Sequence, residues 1–292
     1  MESSMKTNMF VHLFSNSSVD HLQTRGCKLV FASFFACSVL FLLPLCIHVL
    51  CVGSQRWRKQ RSNPTAEMIS HSDIITFNMV GVELVAVSGM SLYCYGSFSD
   101  RLTLLIVGFY ILSIIAPGQT LFHALTCVER YLAVVHPVTY MGLKQSGGVR
   151  IRNVSIGGVW MICFASLIVA QTVWAAFVLN LITMLLSSAV VCFCSLSVLH
   201  VLIHPGPREG VDPARQRAFH TILAITGVLL LRSFLILVYF ILNVLSAIST
   251  SDDCFMTWSA AWLSLPSSLV LPLLFLHRAG KLPGCKQRTG TG

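Results

Sequence analysis

Long apolar stretches separated by short polar segments make up the pattern along this chain. Seven of them contain roughly 20 mainly apolar residues, the length that a helix needs to cross a bilayer core about 30 Å thick. The fourth and fifth stretches are nearly fused, but a single helix over their 50 residues would be about 75 Å long. The pattern therefore predicts seven spanning helices, over Leu29–Gly53, Ile74–Gly96, Leu102–Cys127, Val154–Thr172, Val178–Ile203, Phe219–Ala247 and Phe255–Leu276.

The composition excludes the other classes of protein. Only 11% of the 292 residues are charged and the mean hydropathy is +0.76, whereas about a quarter of an average soluble domain is charged. These values rule out a soluble fold and intrinsic disorder, and 11 Cys residues are too few for a disulfide scaffold of this length. We expect an all-α membrane protein built as a seven-transmembrane helix bundle.

Lysine and arginine residues predict the orientation of the chain in the membrane. With the N-terminus outside, 15 of the 20 basic residues fall in cytoplasmic segments and 4 in outer segments, and Arg232 lies within the sixth span. The chain then consists of an outer segment, 1–28, a membrane domain, 29–278, and a cytoplasmic tail, 279–292. The net charge of +9 reflects this topology and contact with anionic lipid, so nucleic acid is not an expected partner.

Two residues outside the spans are candidates for modification. Asn16 begins an Asn-Ser-Ser glycosylation sequon in the outer segment. Cys285 follows the last span and is a candidate for palmitoylation, although a free thiol is equally consistent with the sequence. We find no metal-ligand spacing, no phosphate-binding loop and no nucleophile elbow, so we expect no enzymatic activity, no cofactor and no metal.

The most specific motif lies at the cytoplasmic end of the third span. It reads Glu129-Arg130-Tyr131 and is followed by Pro137 six residues after the tyrosine. In these residues and their position the chain resembles the rhodopsin-like, or class A, G-protein-coupled receptors. The resemblance implies that Glu129 restrains Arg130 in the resting state and that Arg130 moves towards a G-protein helix on activation. A simple interfacial arginine that extends towards water is the alternative interpretation.

Further positions strengthen the resemblance, which covers about residues 29–280. Trp160 occurs in the fourth span where this family has a tryptophan, and Glu83 falls where the family has a sodium-binding aspartate, five residues after Asn78. The segments Gln55–Trp57 and Cys127–Tyr131 also resemble those of a group of fish orphan receptors. The resemblance implies a glycosylated, multi-pass receptor of the plasma membrane that acts in signal transduction.

Other positions depart from the pattern of this family. No cysteine occurs near Leu105, where the family has one at the top of the third helix, and the helix-7 motif retains only Pro272, with Phe275 close behind it. Val228–Ser233 replaces the family's sixth-helix switch. Cys27 and Cys254 precede the first and seventh spans, which are neighbours in a receptor bundle, and we hypothesise that they pair as in chemokine-type receptors.

Two charged residues lie deep within the predicted spans, Glu83 and Arg232. A charged residue inside a membrane is costly unless it is paired, and it indicates a functional site by default. The inward face of the third span also carries Gln119 and His123 at helical spacing. We expect these four residues to form an internal polar cluster in place of a sodium site. In the alternative, Arg232 extends to the interface or sits in another register.

The outer halves of the spans suggest a largely apolar ligand pocket. No aspartate lies on the inward face of the third span, so a biogenic amine is not the expected ligand. The two tryptophans of this set could equally belong to the interfacial aromatic belt. The candidate pocket residues are Leu105, Phe109, Leu112, Tyr239, Asn243, Trp258 and Trp262.

The sequence thus predicts a receptor that transmits an unknown extracellular signal to a heterotrimeric G protein. Two alternatives remain open. The first is a decoy or scaffold receptor of the same fold that has lost coupling, which the altered sixth and seventh helices favour. The second is a seven-helix transporter or channel that uses Glu83 and Arg232 as a charged relay, although the sequence shows neither internal repeats nor a continuous polar path.

Overall fold

The computed structural model describes residues 25–62, 71–143, 146–169, 173–203, 262 and 264–278, and nine residues between 226 and 241. Throughout these residues the chain is helical, with short turns and no strand. Four helical stretches are long and apolar enough to cross a membrane. They are Lys28–Ser62, Ser72–Phe98, Leu102–Val135 and Val178–Val201. Helices of this length and apolarity are compatible with a membrane-embedded protein.

These four stretches coincide with the first, second, third and fifth apolar windows of the sequence. The fourth window falls on a separate helix, and the described part of the seventh window is also helical. The helices are α1 (Arg25–Cys37), a π-helical turn (Ser38–Leu42), α2 (Leu43–Ser62), α3 (His71–Phe98), α4 (Leu102–Val135), α5 (Pro137–Leu143), α6 (Ser146–Val169), α7 (Val173–Ile203) and α8 (Ser264–Arg278).

The first span is one helical rod with a π-helical turn in its middle. Pro44 follows this turn, and a proline inside a helix removes one backbone hydrogen bond and clashes with the preceding turn. The wider π turn accommodates that defect, as such turns often do within longer helices. Ser38 Oγ donates a 2.9 Å hydrogen bond back to the Phe34 carbonyl, and the turn contacts α8.

Helices α3 and α4 form a very close antiparallel pair. A three-residue connection joins them, with Asp100 at a φ of 49°, a left-handed conformation that aspartate tolerates better than most residues. A Cβ at Gly108 would lie 2.5 Å from the Tyr93 backbone nitrogen, and a Cβ at Gly96 would clash with the Leu105 backbone. Small residues therefore let the two backbones touch, which is a common way to pack membrane helices.

Lys28 joins α1 to the same connection. Its Nζ donates a 2.7 Å hydrogen bond to the Ser97 carbonyl and lies 3.6 Å from Asp100 Oδ1. We call this side of the bundle the Lys28 side, and the opposite side, where α4 reaches Arg130, the Arg130 side. Because α3 runs antiparallel to α4, Ser72 and Asp73 at its start also lie on the Arg130 side.

Hydroxyl pairs link α7 to the segment between residues 226 and 241. Ser188 Oγ donates a 2.6 Å hydrogen bond to Ser233 Oγ, and the hydroxyls of Ser195 and Thr226 are also 2.6 Å apart. Ser195 follows Ser188 by seven residues on α7, whereas its partner Thr226 precedes Ser233 by seven residues. Two antiparallel helices in a fixed register explain this pattern, and interhelical hydroxyl bonds stabilise such pairs in membranes.

Candidate functional site

A buried carboxylate lies at the centre of the bundle, between α3, α4 and α8. Glu83 is only 2% exposed. Gln119 Nε2 donates a 3.0 Å hydrogen bond to its Oε2, and Ser268 Oγ donates a 2.6 Å hydrogen bond to its Oε1. Each carboxylate oxygen therefore accepts a hydrogen bond from a different helix. Such bonds offset part of the cost of desolvating a charged group.

His123 continues this polar face towards the Arg130 side. It lies one helical turn after Gln119 on α4 and is 2% exposed. Phe122, beside it, is fully buried and makes an edge contact with Trp160, with ring centroids 6.3 Å apart. The structure thus joins Gln119 to Glu83 by a hydrogen bond and places the buried His123 one turn further along the same helix.

A second polar link lies between α3 and α6. Trp160 Nε1 donates a 3.0 Å hydrogen bond to Asn78 Oδ1, and Asn78 Nδ2 donates to the Ile74 carbonyl at 2.9 Å. The indole and the amide, two residues that the sequence analysis noted separately, therefore satisfy each other inside the bundle. A buried indole N–H usually has such a partner.

The two charged members of the Glu129-Arg130-Tyr131 triplet have separate hydrogen-bond partners. Arg130 Nη2 donates a 3.1 Å hydrogen bond to Ser72 Oγ at the start of α3. Glu129 Oε1 accepts a 3.2 Å hydrogen bond from the hydroxyl of Tyr140 on α5. Arg130 is therefore linked to the second span, and Glu129 is linked to the short helix after Pro137.

Tyr131 and Arg56 make further contacts on the Arg130 side. The Tyr131 hydroxyl and His136 Nε2 share a 3.1 Å hydrogen bond, and the Tyr131 ring lies 5.7 Å from the Phe193 ring of α7. Arg56 of α2 lies 3.7 Å from Asp73 Oδ2, and its guanidinium carbon lies 5.5 Å from the centroid of the Phe275 ring.

The environment of Tyr140 raises the pKa of its phenol. Burial is the largest cause, and the negative charge of Glu129 and the hydrogen bond to it add to the effect. The positive charge of Arg130 acts in the opposite direction but is weaker. Tyr140 therefore remains a neutral hydrogen-bond donor at physiological pH.

The predicted ligand-pocket residues on α4 occupy different environments. Leu105 is 5% exposed and packs against the close contact at Gly96, whereas Phe109 is 38% exposed. Leu112 is partly buried against the core. Trp262 is also partly buried, and its ring centroid lies 5.7 Å from that of Phe34. The ligand pocket stays a prediction, since three of its seven residues lie outside the part of the chain that the structure describes.

Several predicted site residues lie outside the part of the chain that the structure describes. The pairing of Glu83 with Arg232 and the proposed disulfide therefore stay predictions, with the side chain of Cys27 also undescribed at the start of α1. The two helix-7 residues, Pro272 and Phe275, are described: both lie on α8 and are buried, and Phe275 is only 3% exposed. The residues outside the description are Asn16, Arg232, Tyr239, Asn243, Cys254, Trp258 and Cys285.

Three partners of the polar residues were not predicted from the sequence: Ser72, Tyr140 and Ser268. Serine is a common small residue in membrane helices, so the sequence does not distinguish one that binds a carboxylate from one that only packs. Tyr140 carried a weak signal, because it lies one helical turn after His136 on the helix that begins at Pro137.

Comparison with known proteins gives no relative for this chain. No family model matches it, and no curated protein matches it.

Proposed function

We propose that this chain is a seven-helix receptor of the rhodopsin-like class, located in the plasma membrane with its N-terminus outside. In this proposal it transmits an extracellular signal to a heterotrimeric G protein on the Arg130 side. The Glu129-Arg130-Tyr131 triplet at the end of the 34-residue helix α4 is the observation that carries the proposal, because its position on the third span is the most specific feature of the sequence.

The geometry on the Arg130 side supports this proposal. Arg130 is partly buried and donates its hydrogen bond to an uncharged hydroxyl, that of Ser72. A hydrogen bond that involves a charged group contributes about 1.5–3 kcal/mol to stability, and a new hydrogen-bond partner for the guanidinium would offset its loss. Tyr140 donates its hydrogen bond to Glu129 at the same time, so in this proposal Glu129 keeps its contact with α5 when Arg130 changes partner.

The polar contacts within the bundle provide a route by which a ligand could affect this side. Glu83 joins α3, α4 and α8 through Gln119 and Ser268, and Phe275 on α8 contacts both Arg56 and Phe77. A change in the packing of α8 would therefore reach the start of α3, where Ser72 binds Arg130. We propose this connection as the link between ligand and G protein.

Basal G-protein activation in cells tests the proposal without a ligand. We expect the wild type to raise basal signalling at least severalfold over cells without the chain, and Arg130→Ala to remove most of that signal at equal surface expression. Arg150→Ala is the matched control, because Arg150 is an exposed arginine on the neighbouring helix α6. A wild type that activates no G-protein class would favour the decoy receptor.

A further inference from the structure

The end of α2 carries a group of basic side chains that the proposed function does not use. Arg58, Lys59 and Arg61 are exposed, and none of them forms an ion pair with another residue in the described part of the chain. Arg56 is not part of this group, because its guanidinium forms an ion pair with Asp73 at 3.7 Å. Three positive charges near the end of α2 are therefore available to an anionic partner.

These basic side chains lie where the first span leaves the hydrocarbon core of the membrane. The span Lys28–Ser62 has 35 residues and is about 52 Å long at 1.5 Å per residue, whereas the hydrocarbon core is about 30 Å thick. The last turns of α2 must therefore reach the headgroup layer or the water beyond it. Trp57, which is 53% exposed, has the amphipathic ring that is typical of this interface.

One face of α2 changes from apolar to basic along its length. Ile47 and Leu50 are 51% and 39% exposed and face outwards. At 100° per residue, Arg58 and Arg61 lie on that same face. Arg58 follows Leu50 by about 12 Å along the helix axis. An acyl chain can therefore lie beside Ile47 and Leu50 while its headgroup reaches Arg58 and Arg61.

The arrangement of the two arginines favours a headgroup with more than one phosphate. Arg58 and Arg61 are three residues apart, so their Cβ atoms are about 5–6 Å apart, and each guanidinium can bind a phosphate through two parallel hydrogen bonds. The Arg61 guanidinium carbon lies 4.6 Å from the centroid of the Trp57 ring. This cation–π contact orients the guanidinium, whereas Lys59, two residues before Arg61, lies about 200° around the helix and faces away from this surface.

We propose that the face of α2 formed by Ile47, Leu50, Trp57, Arg58 and Arg61 binds a phospholipid whose inositol headgroup carries several phosphates. The bound lipid lies in the leaflet on the Arg130 side. This inference rests on the membrane orientation in the proposed function but not on G-protein coupling, so lipid binding can be tested independently of any signal.

Native mass spectrometry of the full chain in detergent measures this binding directly. The probes are phosphatidylinositol bisphosphate and phosphatidylserine with the same acyl chains. We expect at least tenfold tighter binding of the bisphosphate lipid. Each basic residue near a membrane surface contributes about fivefold in affinity, so Arg61→Gln should weaken binding about fivefold, and Arg58→Gln with Arg61→Gln about 25-fold.

Two further variants make the result specific. Arg101→Gln removes the same charge from an exposed arginine on the Lys28 side and should leave the affinity unchanged. Arg61→Lys keeps the charge but loses the two-bond contact, so its affinity should fall between those of the wild type and Arg61→Gln. Equal binding of the two lipids, or equal effects of Arg61→Gln and Arg101→Gln, would overturn the proposal.

Discussion

The polar residues inside the bundle show how a carboxylate can be tolerated within a membrane. Glu83 accepts one hydrogen bond at each oxygen, from Gln119 and from Ser268. An ionised carboxylate has about four acceptor positions, so it can also accept hydrogen bonds from a guanidinium. Arg232 lies outside the described residues, so its ion pair with Glu83 stays a prediction.

Exchange of the two charges tests that ion pair. Removal of one partner from a buried pair costs about 3–5 kcal/mol, so Arg232→Glu should lower surface expression by roughly tenfold. Glu83→Arg combined with Arg232→Glu restores opposite charges and should recover most of the expression, as measured by flow cytometry. Arg150→Glu, at an exposed site, should have little effect. A double variant no better than Arg232→Glu alone would refute the pair.

The hydrogen bond from Tyr140 to Glu129 predicts a distinctive pH dependence. Burial and Glu129 raise the pKa of Tyr140 above its ordinary value of about 10. A group whose pKa is higher in the folded state stabilises that state below its unfolded pKa and loses the effect as the pH rises through its folded pKa. The contact should therefore be constant from pH 6 to pH 9 and weaken only above about pH 10.

Absorbance of the phenolate near 295 nm measures this titration. In a difference titration of the wild type against Tyr140→Phe, the missing tyrosine should titrate later than the exposed tyrosines. The variant should also lose about 1.5–3 kcal/mol of stability, the contribution of a hydrogen bond to a charged group. A Tyr140 phenol that titrated at or below pH 10 would contradict the geometry at Glu129.

At the scale of the helices, the close contact between α3 and α4 requires small residues. Gly108 faces the Tyr93 backbone, and a Cβ there would lie 2.5 Å from the backbone nitrogen. Backbone atoms cannot move away as a flexible side chain can. We therefore expect Gly108→Ala to lower the melting temperature of the purified chain by several degrees, because it separates the two helices.

Gly158→Ala provides the matched control for that change. Gly158 also lies within a helix, but a Cβ there would have no atom within 4 Å. Alanine favours a helix over glycine by about 1 kcal/mol, so this variant should melt at the same temperature as the wild type or slightly higher. Equal destabilisation by both variants would show that the close contact at Gly108 is wrong.

For the helices that the structure describes, hydropathy was sufficient to predict where they lie, but not how long they are. The third window was predicted to end at Cys127, whereas α4 continues to Val135. The first was predicted to end at Gly53, whereas α2 continues to Ser62. Charged residues such as Arg and Lys favour helices in water, so a helix can extend beyond the apolar stretch that predicts it.

The partners within the bundle were less predictable than the helices themselves. Glu83 and Gln119 carry charge or a large amide, which makes them conspicuous in apolar sequence. Ser268 and Ser72 do not, because a hydroxyl in a helix can bond to its own backbone, as Ser38 does. Only the relative rotation and height of the helices determine which hydroxyl reaches a carboxylate or a guanidinium, and neither is encoded in a local pattern.

At the scale of the whole molecule, polar contacts divide between the two sides and the centre. On the Lys28 side, Lys28 joins α1 to the connection between α3 and α4. The centre contains Glu83, and the Arg130 side contains the largest number of charged residues among those described. In the proposed orientation, the Arg130 side faces the cytoplasm and meets both the anionic lipid and the G protein.

Nucleotide exchange on purified heterotrimeric G proteins tests coupling through Arg130 most directly. The full chain in lipid nanodiscs would be mixed with one heterotrimer of each class, and uptake of a non-hydrolysable GTP analogue would be measured. We predict that the wild type accelerates uptake by at least one heterotrimer, that Arg150→Ala does the same, and that Arg130→Ala loses at least 80% of the acceleration, about 1 kcal/mol or more. Uptake that Arg130→Ala accelerates as well as the wild type would contradict the account.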